Sequence, residues 1–139
     1  MANAIELIAR YLEKQDDIVA AYLFGSQARG TQRDESDIDV AVLFSSEGDK
    51  LARFDRRLEI IIALERALGK KVDVIDIQAA PLLLQHHILL DGRLLVDKQP
   101  QRRVDFEVAS RRQYFDLKPL LQRRNARMIA RILEADHNG

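Results

Sequence analysis

The chain has 139 residues, 47% of them hydrophobic, with 22 basic and 22 acidic side chains and no cysteine. That length suits one ordinary domain with a real core, and the missing cysteines exclude a disulfide frame and a thiolate metal site. No apolar run approaches the length of a membrane span, and the first ten residues, which include Glu6, form no signal-like stretch, so a cytoplasmic protein is expected.

Neutrality hides a polarity. Residues 1–97 hold 12 Lys/Arg against 17 Asp/Glu, a balance of −5, whereas residues 98–139 hold 10 against 5, a balance of +5. The basic end could meet nucleic acid, dock on an acidic partner or solvate helix surfaces. Direct nucleic-acid readout is not expected, because few aromatics are available there to stack on bases.

In chain order, Ala2 to Gln15 places Ile5, Ile8 and Leu12 at helical spacing and ends at Asp16-Asp17. Ile18 to Phe24 reads as a buried strand stopped by Gly25, and Ile38 to Phe44 as another. Leu51 to Leu68 predicts a long helix whose core face carries Leu51, Phe54, Leu58, Ile61, Ile62 and Leu68, broken by Glu65, with Gly69 as its C-cap. Lys71 to Ile77 alternates as a third strand. Pro81 can start a helix through Leu90, and Asp91-Gly92 turns into a strand from Arg93 to Val96. Beyond Pro100, two helices are expected, Arg102 to Phe115 and Leu120 to Glu134, separated by Pro119. Together these elements imply an α/β (α+β) fold, a mixed sheet of about four strands covered by helices. Residues 1–97 read as the functional core. Residues 98–139 read as a basic helical extension, either part of the same compact unit or a docking surface, with Phe106, Tyr114, Phe115 and Leu117 as candidate anchors.

The chemistry concentrates between the first two strands. Side chains alternate along a strand, so Asp37 and Asp39 point to one side while Ile38 and Val40 point to the other. Two such carboxylates repel unless a cation neutralises them, and Mg²⁺ suits hard oxygen ligands. The plain alternative is a pair of solvated aspartates at a strand edge. Upstream, Gly25-Ser26 leaves the first strand through a residue that lets backbone approach a ligand. Gln27 onward could open a helix whose free N–H groups favour an anion. Ser26 adds a hydroxyl and Arg29 a guanidinium fork suited to phosphate. Alone, this turn could equally be a simple helix cap.

Gly25-Ser26, ten intervening residues and Asp37-Ile38-Asp39 together resemble the signature of the DNA polymerase β nucleotidyltransferase superfamily. The fuller run GSQARGTQRDESDIDVAVLF is similar to the minimal nucleotidyltransferase (MNT) subgroup. The resemblance, which extends from about Ile18 to Val96, implies a third carboxylate on a neighbouring strand, in KKVDVIDI. Asp73 is preferred and Asp76 is the alternative, the two lying on opposite faces. Asp34 and Glu35 are assigned to the solvated connection.

The resemblance further implies transfer of a nucleoside monophosphate from a triphosphate to a hydroxyl. Asp37, Asp39 and Asp73 would hold Mg²⁺, two ions in the family's manner, while Gly25, Ser26 and Arg29 grip ATP. Relatives acting on nucleic-acid ends or antibiotics generally carry an additional domain. The small size therefore resembles the antitoxin of HEPN/MNT toxin–antitoxin pairs, which adds AMP to a tyrosine of its HEPN ribonuclease partner. Two other readings remain open: an antitoxin that acts by masking alone, and a nucleotidyltransferase for a small molecule of aminoglycoside type. His86-His87 is read as a surface or partly buried pair rather than a metal site. Glu65 reads as a half-buried ion pair or a residue reaching the site, and Tyr22 as a packed sheet residue.

Overall fold

The computed structural model describes residues 3–25, 37–45 and 49–138, with side chains through residue 134. Helix α1 spans Ala4–Glu13, and the Asn3 side chain caps it by accepting the Glu6 N–H at 2.8 Å. Strands β1 (Ile18–Phe24) and β2 (Ile38–Phe44) follow, both almost wholly buried. Helix α2 (Lys50–Leu68) opens on Asp49, whose carboxylate accepts the Ala52 N–H, and closes on Gly69 at φ 65°. Strand β3 (Val72–Asp76) leads through a 3₁₀ turn (Ile77–Ala79) to α3 (Leu82–Asp91), β4 (Arg93–Asp97) and α4 (Pro100–Asn138).

The four strands form one mixed sheet in the order β3-β2-β1-β4. β2 and β3 run parallel, joined by the α2 crossover, while β1 is antiparallel to both β2 and β4. Two apolar layers result. Ile8 and Leu12 of α1 and Ile60 and Leu64 of α2 pack with Leu23, Val40, Val42, Val72 and Val74 on one face. Val19, Tyr22, Ala41 and Leu43 pack with Ile77, Ile88 and part of Phe106 on the other. Both layers are filled because strand residues alternate, which is why β1 and, apart from Asp39, β2 read as apolar runs.

Two expectations are corrected. The two C-terminal helices are one, α4, with Pro119 inside it. The proline removes a single N–H, and the Phe115 it would have bonded is 68% exposed, so solvent can take up the freed carbonyl and the helix need not stop. The predicted core face of α2 is also misphased. The buried positions are Arg53, Ile60 and Leu64, whereas Leu51, Phe54, Leu58 and Ile62 are exposed, and Ile61, Glu65 and Leu68 are half-buried. The sheet selects the face that lets Arg53 reach Asp76, Nε to Oδ2 at 2.6 Å, because a buried carboxylate needs a charged partner. Arg56 of the same helix reaches Asp17 at 2.7 Å.

The proximal part of α4 belongs to the second layer. Ser110 Oγ donates to Gln85 Oε1, and Tyr22 Oη donates to Glu107 Oε1. Tyr114 stacks on His86 with ring centroids 3.7 Å apart and planes within 4°. Thus Phe106 is packed and Tyr114 engaged, while Leu117 is half-buried and Phe115 remains open. Beyond it, Leu120, Met128, Ile129, Ile132 and Leu133 are each more than half exposed.

Candidate active site

The antiparallel pairing of β1 with β2 sets Phe24 opposite Asp39, so Gly25, the next residue, comes close to the start of β2. Gly25 holds φ 75°, a left-handed conformation that disfavours any Cβ. A Cβ built there would lie 2.5 Å from Asp39 Oδ2. Glycine is thus required twice, for its backbone angle and for the approach of the carboxylate.

Across the other ladder, Asp39 is the register partner of Asp73. Neighbouring strands lie about 4.8 Å apart, so the two side chains emerge side by side on one face. Asp37 joins them, and the three line one opening of about 380 Å³ with Ile61, Glu65, Lys71 and Val72. Burial, then the charges of Asp73 and Asp37, raise the Asp39 pKa above the ordinary carboxylate range. Asp76 is on the opposite face, in its ion pair with Arg53, and its other oxygen accepts the Gln78 N–H. Ser26, Arg29, Asp34 and Glu35 lie outside the described residues.

Among the described residues, no three His, Cys, Asp or Glu side chains are drawn together as a metal-holding group. The donor chemistry nevertheless fits a hard divalent cation: all-oxygen ligands, with Asp39 disfavoured as an anion by burial and then by its two acidic neighbours. Because the backbone pairing of Asp39 and Asp73 fixes their spacing, side-chain rotation is what remains to form a ligand set.

Some lining residues escaped the sequence reading. Lys71, just before β3, borders the carboxylates and supplies a cation. Glu65, by contrast, was expected either in a half-buried ion pair or reaching the site; it borders the carboxylates, and its Oε1 accepts the Val72 N–H at 3.3 Å, tying α2 to the start of β3. His87 and Asp91, one turn apart on α3, line a smaller cavity of about 150 Å³ with Phe24, Gly25 and Ile88. Their i, i+4 spacing was the available signal; which way α3 faced was not.

Comparison with known proteins bears on what this arrangement does. The protein adenylyltransferase MntA of Shewanella oneidensis is 39% identical over 74 residues, 53% of this chain and 50% of that protein. A relative from Methanocaldococcus jannaschii is 42% identical over 66 residues, 48% of this chain and 64% of it. The chain thus spans between half and two thirds of these relatives' length. A crystal structure of a toxin–antitoxin with AMP-PNP superimposes with a TM-score of 0.72 at 30% identity, covering 91% of this chain and 97% of that one. A tri-AMPylated Shewanella oneidensis HEPN toxin in complex with MNT antitoxin gives 0.68 at 25% identity, covering 90% and 98%. The family model for polymerase beta nucleotidyltransferases matches residues 6–101, the stretch that contains the glycine turn and all three aspartates, and the chain belongs to that family.

Proposed function

We propose that this protein is the antitoxin of a HEPN/MNT pair and transfers AMP from ATP to a tyrosine hydroxyl of its HEPN ribonuclease toxin, with Mg²⁺ bound at Asp37, Asp39 and Asp73. The observation that carries the reading is the packing of Gly25 against Asp39, itself paired with Asp73. The likeness to a toxin–antitoxin with AMP-PNP, over nearly the whole of both chains, supports the substrate and the partner.

In the reaction, the acceptor oxygen attacks the α-phosphorus of ATP, the bond from that phosphorus to the bridging oxygen breaks, and pyrophosphate leaves. Asp73, at the edge of the sheet, takes the hydroxyl proton. The Gly25-Ser26 turn and Arg29 hold the triphosphate, and the glycine keeps backbone close to the phosphates. Mg²⁺, when bound by the three carboxylates, supplies charge neutralisation and a lowered pKa for the acceptor hydroxyl. The remaining catalysis is positioning, as is general for phosphoryl and nucleotidyl transfer. The proximal part of α4 completes the catalytic unit, and its exposed distal part is available to the toxin.

Mixing the purified chain with its cognate HEPN protein, ATP and Mg²⁺, and weighing both intact, tests the proposal. Addition of AMP mass to the toxin, abolished by Asp39→Asn or Asp73→Asn and mapped to tyrosine, is expected. An unmodified toxin that is nonetheless inhibited would show masking alone, and AMP transfer only to small hydroxyl compounds would replace the protein acceptor.

A further inference from the structure

Helix α2 presents two apolar faces, and the sheet uses one. Arg53, Ile60 and Leu64 are buried, while Leu51, Phe54, Leu58 and Ile62 are 73%, 49%, 40% and 58% exposed. At 3.6 residues per turn these four exposed positions fall within an arc of about 80°, with Glu65 inside it and Ile61 about 20° beyond its edge. From Leu51 to Glu65 the ridge runs about 21 Å at 1.5 Å per residue. Its far end is the active-site opening, since Ile61 and Glu65 line that opening with Asp37, Asp39 and Asp73. The Arg57 guanidinium stands 5.3 Å over the Phe54 ring and steadies an aromatic side chain on the ridge.

We propose that this ridge is the docking face for the protein that carries the acceptor hydroxyl, an inference that rests on the protein-modifying reading above. Continuity decides the occupant. A partner seated along Leu51, Phe54, Leu58 and Ile62 reaches Ile61 and Glu65, which border the opening that holds the carboxylates and that its hydroxyl must enter. A small acceptor would be held by the opening alone and would leave the ridge without a role. Exposed aromatic and aliphatic side chains in one stripe are the kind of anchor on which protein interfaces depend.

The test is the double substitution Phe54→Asp with Leu58→Asp, outside the residues assigned to ATP or metal. Initial rates of AMP transfer are measured against the concentration of the cognate HEPN protein, with binding of Mg·ATP measured separately. A rise of at least tenfold in KM for the HEPN protein, with Mg·ATP affinity and melting temperature unchanged, is expected. An unchanged KM overturns the inference. If the parent chain transfers no AMP at all, the functional reading fails. The ridge is then judged by direct binding of the HEPN protein to Asp39→Asn with and without the two substitutions, where at least tenfold weaker binding supports it and equal binding overturns it. A parent chain that sediments as a dimer dissolved by the double substitution also overturns it, by assigning the ridge to a second copy.

Discussion

Replacing Gly25 by alanine separates two costs that the structure combines at one residue. The first is conformational: at φ 75° a Cβ meets its own backbone, a penalty of about 1–2 kcal/mol. The second is positional. The added Cβ would lie 2.5 Å from Asp39 Oδ2 but 3.4 Å from Cγ and 3.6 Å from Cβ, so the conflict is with the outer oxygen. Restoring an ordinary 3.4 Å contact displaces that oxygen by about 0.9 Å, which rotation of the side chain achieves at little cost in stability. For catalysis a displacement near 1 Å is expensive, on the order of 10²-fold in rate. Gly25→Ala is therefore expected to lower unfolding stability by about 1–2 kcal/mol in urea titrations. It should slow AMP transfer about 100-fold at saturating ATP and toxin. Gly69 provides the control, because it holds φ 65° with nothing within 4 Å of an added Cβ. Gly69→Ala should lose similar stability and keep its rate. Equal activity in the two variants would refute the reasoning, since the Asp39 contact is the difference between them.

Asp76→Ala breaks a buried ion pair with Arg53 and is expected to cost about 3–5 kcal/mol by thermal or urea unfolding, while the folded fraction keeps its transfer rate. Loss of transfer without loss of stability would instead make Asp76 the third carboxylate. Because burial and two acidic neighbours raise the Asp39 pKa, its ionisation opposes folding. Its contribution to stability is fully present below the unfolded carboxylate pKa and is lost as pH rises through the raised folded value. In EDTA, Asp39→Asn should accordingly melt higher than the parent at pH 7, with the gain vanishing in acid; an unchanged or lower melting temperature at pH 7 would contradict this. Ending the chain after Lys118 removes a helical segment exposed at nearly every described position, so the melting temperature should stay within a few degrees of the parent's. A large fall would show that the distal helix stabilises the core.

What the sequence made legible follows from how local each signal is. β1 and β2 emerge at Ile18–Phe24 and Ile38–Phe44 as predicted, because a strand buried on both faces has little choice but an apolar run, broken in β2 by Asp39 alone. The Asp73 side of β3 was legible for a similar reason: alternation puts Val72 and Val74 in the apolar layer under α2 and Asp73 on the other face, where it is the partner of Asp39. Helix α2 was harder, since periodicity identifies a helix without choosing between two apolar stripes on it. The choice was made by Asp76, 23 residues from Arg53 in sequence, whose burial draws the arginine inward and turns Leu51, Phe54, Leu58 and Ile62 outward. No window along the chain contains that information, because it is a pairing across the sheet's edge strand. The same logic makes the exposed stripe meaningful. An arginine on the core side can be retained where its neutralising partner is fixed, as Asp76 is, and the apolar face thereby left outside runs to Ile61 and Glu65 at the carboxylates. Misreading the phase of α2 and finding a surface beside the active site are therefore one observation: the apolar residues that the core did not take are those a second protein could cover.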